Sequence, residues 1–205
     1  SMDNDTLRRG RATNHVVYGE GLAILAGDAL QTAAFEQVLS ADLPAGRRAA
    51  AALILARAAG PDGMCAGQVL DMEGERRALS LEEITDMNAR KTGCLLEAAA
   101  QMGVAAAGGS EAQLEAARAY AAAVGLAFQI RDDMLNVTST REEMGKSVGS
   151  DEQRGKSTYV AHLGLEGCAR VVAEQTEQAK AALRGSGIAP DFFCRLADYL
   201  AGRSY

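Results

Sequence analysis

Residues 128–136 contain two adjacent carboxylates, and they directly follow a long apolar, Ala-rich run. Charged side chains at the end of such a run make this stretch the first candidate for a functional site. Residues four apart share one face of a helix, so Asp132 and Asn136 project together, with Asp133 beside them. Three oxygen-bearing side chains on one turn suit Mg²⁺, which completes its coordination with water and substrate phosphate. A solvated acidic face is the commoner role of such a pair. A phosphate site therefore requires cations nearby.

Lysine is used sparingly, and two lysines follow the acidic stretch. Of the 21 basic residues only four are lysine, at positions 91, 146, 156 and 180. Lys146 and Lys156 lie in the Gly-rich, charged segment 137–156, for which we predict a loop. A loop of this length exceeds ordinary connections, which favours either function or disorder. Because lysine is a compact point charge, Lys91, Lys146 and Lys156 are candidates for contacts to phosphate.

The first residues combine acids with arginines and form a second candidate site. Asp3 and Asp5 precede Arg8 and Arg9. Arginine binds phosphate in a bidentate geometry, so acids and arginines together suit a metal and a phosphate. A charged, frayed terminus is the common alternative.

The composition excludes several classes of function. The chain has 205 residues, of which 48% are apolar, and its net charge of −6 argues against nucleic acid as the main partner. The four cysteines form no CxxC pair, so we expect buried thiols in a reducing compartment, neither a disulfide framework nor a zinc site, and a cytoplasmic location. No run approaches the roughly 18 apolar residues of a membrane span. We recognise no signal peptide.

The elements that position these residues are predicted to be helices. Only three prolines occur, and long runs of Ala, Leu, Glu and Arg favour helix over strand. Ser80 and Ser110 each begin a capping-box spacing, which predicts two helix starts. The predicted helices cover about 16–39, 47–59, 61–72, 80–107, 110 to the acidic stretch, 157–163, 165–183 and 190–200. We expect an all-α fold and a single domain over residues 1–205.

Four blocks of residues resemble one known family, the trans-type polyprenyl (isoprenyl) diphosphate synthases, and are closest to its bacterial farnesyl and geranyl diphosphate synthases. The blocks are Met2-Asp3-Asn4-Asp5 with Arg8-Arg9-Gly10 and Thr13-Asn14-His15; Lys91-Thr92-Gly93; Phe128-Gln129 with Asp132-Asp133-Met134-Leu135-Asn136; and Gly145-Lys146 with Gly155-Lys156-Ser157-Thr158-Tyr159. A weaker fifth block contains Gly67, Gln68 and Asp71. The four main blocks occur in the order typical of the family.

The resemblance implies a prenyltransferase of isoprenoid biosynthesis, with helices around a central cavity and a homodimeric assembly. Such an enzyme condenses an allylic diphosphate with isopentenyl diphosphate, and up to three Mg²⁺ ions hold the allylic diphosphate between two aspartate-rich motifs. By the same resemblance, Asp132, Asp133, Lys91 and Lys156 are catalytic; Asp3, Asp132, Asp133 and Asn136 bind metal; Arg8, Lys91, Lys146 and Lys156 contact the allylic diphosphate; Arg9 contacts isopentenyl diphosphate; and Thr92 and Gln129 are polar residues at the mouth.

The sequence departs from the family pattern at both aspartate-rich motifs. In the family, the first motif reads Asp-Asp, four spacer residues and Asp. Only its last aspartate has a counterpart in this chain, which is Asp3. The second motif ends in Asn136 where the family usually has aspartate. The resemblance therefore implies an N-terminally truncated member with impaired turnover. It leaves the product chain length undetermined.

Two alternatives stay open. A terpene cyclase of the same helical fold carries Asn or Asp, then Ser or Thr, then Glu at spacings of four and eight. Counted from Asn136, Thr140 fits this pattern and Met144 does not. A non-catalytic partner subunit of a complete synthase would suit the missing upstream helices. The retention of nearly every downstream catalytic residue argues against it.

Overall fold

The structure is a computed structural model, and it describes Met2, residues 4–138 and residues 157–203. Its architecture is helical, as predicted. The helices are α1 (Asn14–Tyr18), α2 (Glu20–Leu39), α3 (Ala45–Ala59), α4 (Met64–Gly74), α5 (Leu81–Asn88), α6 (Cys94–Ala107), α7 (Glu111–Thr138), α8 (Tyr159–Ala182) and α9 (Asp191–Gly202). A π-helical turn, Ala89–Gly93, joins α5 to α6. A loop was predicted over 137–156, but α7 continues to Thr138, so the first two of these residues are helical. Residues 139–156 lie outside the described residues.

A short hairpin precedes the helices and was not predicted from the sequence. Strands β1 (Leu7–Arg8) and β2 (Arg11–Ala12) pair antiparallel, with Arg8 opposite Arg11. Arg9 and Gly10 connect them with φ angles of 51° and 71°. Positive φ at both central residues is the hallmark of a type I′ turn, whose twist matches that of a two-stranded ribbon. The turn therefore fixes the direction in which the two consecutive arginines leave the backbone.

Glycines in left-handed or extended conformations divide two long helical segments. Gly19 has a φ of 85° and separates α1 from α2, where the sequence predicted one continuous helix. Gly164 interrupts α8 with φ 66° and ψ 169°, which agrees with the predicted division between 157–163 and 165–183. Both angles fall in a region that L-residues other than glycine rarely adopt.

Both predicted capping boxes are present. The Ser80 hydroxyl accepts from the Glu83 N–H at 3.2 Å, and the Glu83 carboxylate accepts from the Ser80 N–H at 2.8 Å. Ser110 and Gln113 repeat the exchange at 3.3 Å and 2.9 Å. Each box satisfies two N–H groups that a helix start leaves without intrahelical partners, so the boxes fix where α5 and α7 begin.

Helix α7 runs through both clusters of the hydrophobic core. The first cluster joins α5, α7 and α8 around Ile84, Ile130, Tyr159 and Cys168, each at most 2% exposed. The second joins α7, α8 and α9 and contains Tyr120, whose hydroxyl donates to the Phe193 carbonyl at 2.8 Å. Because α7 packs into both hydrophobic clusters, its acidic end is held in a defined position. Within the described ranges, no helix is long and apolar enough to cross a membrane.

Candidate functional site

The acidic end of α7 brings Asp132, Asp133 and Asn136 onto neighbouring positions of one helix face, as their spacing predicted. Asn136 is buried, whereas both aspartates are half-buried. The Asp133 carboxylate accepts from the backbone N–H of Tyr159 at 2.8 Å, in the first turn of α8. A carboxylate at a helix N-terminus is stabilised by the exposed N–H groups there. Asp133 therefore ties the end of α7 to the start of α8.

Asp132 has a different partner, the guanidinium of Arg203. The Nη2 atom of Arg203 forms an ion pair with Asp132 Oδ1. The same guanidinium lies 3.8 Å from the centroid of the Phe128 ring. Arg131 completes the arrangement, because its Nε and Nη2 atoms donate to the Arg203 carbonyl oxygen at 2.9 Å and 2.8 Å. Arg203 was not predicted as a site residue, because 71 residues separate it from Asp132 and no motif marks it.

Lys91 lies in the π-helical turn and forms an ion pair with α4. Its Nζ is 2.7 Å from Oδ2 of Asp71, which is 8% exposed. Gly67, one turn earlier on α4, allows the backbone of the π-helical turn to approach α4 closely. A Cβ at Gly67 would lie 2.1 Å from the backbone nitrogen of Lys91. Gly67 and Asp71 of the weak fifth block therefore both serve to position Lys91. Single π-helical turns inside α-helices are frequent at functional sites.

A cavity of about 290 Å³ lies between the π-helical turn, α7 and α8. Gln129 lines it together with Gly93, Glu97 and Gln175. Burial raises the pKa of Glu97 above its ordinary value of 4.5, and the Arg118 guanidinium, 3.8 Å away, opposes that rise only in part. Gln129 thus lines a mostly apolar cavity in which Glu97 and Gln175 are among the polar groups. Thr92 lies in the same turn as Lys91 and is half-buried.

The N-terminal arginines lie in the hairpin. Arg8 lines a pocket of about 240 Å³ with Asp5, Thr13 and His15, and Arg9 forms the exposed turn. In the described part of the chain, the side chain of neither arginine has a hydrogen bond or an ion pair. The three remaining predicted site residues, Asp3, Lys146 and Lys156, lie outside the described residues.

The donor set at the end of α7 fits a hard divalent cation. Carboxylate and amide oxygens are the ligands that Mg²⁺ prefers, and Mg²⁺ needs few of them from protein. The Arg203 guanidinium beside Asp132 is a cation already attracted to this carboxylate. Over residues 4–138 and 157–203, no cluster of three or more His, Cys, Asp or Glu residues could hold a metal ion. The third donor here is the Asn136 amide.

Comparison with known proteins identifies the family. A family model described as polyprenyl synthetase matches residues 2–187. The chain belongs to the polyprenyl synthetase family, which confirms the resemblance carried by the four blocks.

The similar proteins are longer than this chain. It is 42% identical to farnesyl diphosphate synthase of Geobacillus stearothermophilus, and the match covers all of this chain and 70% of that protein. It is 45% identical to the chloroplastic geranylgeranyl pyrophosphate synthase 9 of Arabidopsis thaliana, over 98% of this chain and 58% of that protein. The chain thus spans between 58% and 70% of the length of these two relatives.

The fold agrees with that of solved members. The geranyltransferase of Helicobacter pylori, whose crystal structure contains magnesium and isoprenyl diphosphate, superimposes with a TM-score of 0.84 at 33% sequence identity. The match covers 97% of this chain and 65% of that protein. The relatives and this structure are named as synthases or transferases, so the comparisons favour a synthase over a terpene cyclase or a partner subunit.

Proposed function

We propose that the chain is a prenyltransferase that condenses an allylic diphosphate with isopentenyl diphosphate. The observation that carries the proposal is the acidic end of α7, with Lys91 held by Asp71 in the π-helical turn. This arrangement occurs in a chain whose relatives are named farnesyl and geranylgeranyl diphosphate synthases. The names of the relatives supply the substrate class, and the residues supply charges of both signs suited to a metal and a diphosphate.

Asp132, Asp133, Asn136 and Asp3 would hold up to three Mg²⁺ ions together with the substrate diphosphate. When bound, these ions would neutralise the negative charge that develops on the departing diphosphate. The H. pylori transferase, which carries magnesium and isoprenyl diphosphate, supports the choice of metal. Among the residues of this chain, Asp133 also holds the start of α8, so metal binding and the position of α8 are linked through one carboxylate.

The basic residues would bind the two substrates. Arg8, Lys91, Lys146 and Lys156 would contact the allylic diphosphate, and Arg9 would contact isopentenyl diphosphate. Thr92 and Gln129 would offer polar contacts at the mouth. Preplaced positive charges stabilise a leaving diphosphate most strongly where water is excluded. The ion pair with buried Asp71 fixes the Lys91 ammonium group before substrate arrives.

We also propose that the chain forms a homodimer through α2. No residue of α2 is buried, although the helix is rich in apolar side chains. Leu22, Ile24, Leu25 and Leu30 are between 52% and 72% exposed. Large exposed apolar surfaces mark sites of association. The cytoplasmic location predicted from the cysteines stays a prediction.

The condensation itself tests the proposed function. Geranyl diphosphate and isopentenyl diphosphate are incubated with the protein and Mg²⁺, and products are identified by mass spectrometry. We expect a diphosphate lengthened by one isopentenyl unit, formed slowly because the departures at both aspartate-rich motifs predict impaired turnover, and none when the metal is chelated. Lys91→Gln should reduce product about 100-fold or more, since it removes positioning and charge together. Lys180→Gln, which lies outside the motifs, is the matched control. Absence of the lengthened product with Mg²⁺ would contradict the proposal.

A further inference from the structure

Arg203 follows α9 and reaches back to the acidic end of α7. Its guanidinium touches three parts of one helical turn. It pairs with the Asp132 carboxylate, lies 3.8 Å from the centroid of the Phe128 ring and donates to the Phe128 carbonyl at 3.4 Å. Its own carbonyl oxygen accepts two hydrogen bonds from Arg131. We refer to Arg203 with its contacts to Phe128, Arg131 and Asp132 as the Arg203 latch.

The latch places a cation where the proposed metal site needs one. The Arg203 side chain is 13% exposed and the Asp132 side chain 34% exposed, so water screens their attraction only partly. The contact between the guanidinium and the aromatic ring also holds the charge over the same turn. A second cation close to Asp132 Oδ1 would be repelled by the guanidinium.

The latch also contains a group that is poorly satisfied. Among the described residues, the buried Nε of Arg203 has no hydrogen-bond partner. A buried N–H that lacks a partner keeps its full desolvation cost. Release of the guanidinium into water would recover that cost. The guanidinium is therefore held mainly by the carboxylate and the ring, so a competing cation has less to overcome. The Arg131 hydrogen bonds hold only the backbone carbonyl of Arg203.

We propose that Arg203 is an internal counter-ion of Asp132 that Mg²⁺ displaces, so that metal binding releases the Arg203 guanidinium from Asp132. The proposal rests on the proposed function, because it takes the end of α7 as the metal site. Only the unlatched form has Asp132 fully available to metal. The apparent affinity for metal therefore equals the intrinsic affinity multiplied by the fraction of unlatched molecules. By reciprocity, metal favours the unlatched form to the same degree.

Titration of Mg²⁺ in the presence of inorganic diphosphate tests the latch. Binding is followed by calorimetry and by the thermal unfolding midpoint, without any measurement of turnover. Arg203→Gln should reach half-saturation at an Mg²⁺ concentration lower by on the order of fivefold, as for a partly exposed ion pair. A purely structural arginine would not produce tighter binding when it is removed. Arg195→Gln, an exposed arginine on α9, is the matched control and should not change the titration.

Phe128→Leu separates the latch from a general change of field, because it leaves every charge in place. This variant removes the ring under the guanidinium and should also lower the Mg²⁺ requirement. A shift in Arg203→Gln without one in Phe128→Leu would overturn the latch in favour of a field effect.

Two further outcomes distinguish this proposal from the proposed function. If the parent responds to Mg²⁺ and diphosphate through Asp132, but Arg203→Gln needs the same or more Mg²⁺, the latch is wrong and the metal site stands. If the parent shows no response at all, both proposals fall.

Discussion

At the scale of single residues, the position of Lys91 depends on the missing side chain of Gly67. The two backbones approach so closely that a Cβ at Gly67 would lie 2.1 Å from the Lys91 nitrogen and 2.5 Å from its Cα. Asp71 lies one turn further along α4 and receives the Lys91 ammonium group at 2.7 Å. Contact of backbone with backbone leaves no flexible side chain to move aside. The glycine and the aspartate therefore act together on one lysine.

Gly67→Ala should destabilise the protein and displace Lys91. We expect a loss of about 1–3 kcal/mol in the free energy of unfolding, as for overpacked sites. Gly103→Ala is the matched control, since it also lies inside a helix but has nothing within 4 Å of an added Cβ. That variant should gain about 0.5–1 kcal/mol, because alanine is the better helix former. Urea unfolding measures both. Equal effects of the two substitutions would contradict the close approach of α4.

Residue types and spacing were sufficient to predict the candidate site only in part. The four-residue spacing of Asp132 and Asn136 predicted a shared face, since helix geometry is local. The pairing of Lys91 with Asp71 could not be predicted, because it depends on a π-helical turn that no periodicity indicates. The contact of Arg203 with Asp132 is longer in range still, at 71 residues, and no local pattern encodes it.

At the scale of elements, helix starts were predicted more reliably than helix continuity. The boxes at Ser80 and Ser110 are made within four residues, so the sequence contains all their partners. Gly19 lies inside the segment 16–39, which was predicted to be one helix, and it breaks that segment with a φ of 85°. Glycine permits both conformations, and tertiary contacts decide between them. The hairpin was not predicted for a different reason, because two-residue strands are too short to show an alternating pattern.

The start of α5 should contribute to the pH dependence of stability through Glu83. Hydrogen bonds from Arg77 and then from the Ser80 backbone lower the pKa of Glu83 from 4.5 to about 2. A lowered pKa in the folded state gives stability that is present above the unfolded value of 4.5 and is lost as the pH falls toward 2. Glu83→Gln should therefore lose less stability than the parent over this range.

Thermal unfolding midpoints between pH 5 and the acid limit of folding measure this difference. Glu82→Gln is the matched control, because its carboxylate is the exposed neighbour in the same first turn. That variant should follow the parent curve. If the unfolding midpoints of the parent and Glu83→Gln fall in parallel as the pH is lowered, the proposed contribution of Glu83 to acid sensitivity is wrong.

At the scale of the whole molecule, α2 is the element that intramolecular packing leaves unexplained. Its large apolar side chains at positions 22, 24, 25, 30 and 39 are at least half exposed, so the proposed homodimer predicts that α2 is covered by a second copy. Leu25→Glu should shift the protein toward monomer by placing a charge in that interface. Gln31→Glu adds the same charge at an exposed polar position of α2. Sedimentation velocity at micromolar concentration distinguishes them. A parent that sediments as a monomer would contradict the homodimer.

The central claim is that the acidic end of α7 binds magnesium and diphosphate. A ligand that binds only the folded chain raises its thermal unfolding midpoint, and the rise grows with the logarithm of the ligand concentration above the Kd. Mg²⁺ with inorganic diphosphate should therefore raise the midpoint of the parent, and chelation should abolish the rise. Asp132→Asn should remove most of the rise, whereas Asp42→Asn, at an exposed position before α3, should retain it. If Asp132→Asn responds to Mg²⁺ and diphosphate as the parent does, the account of this site is wrong.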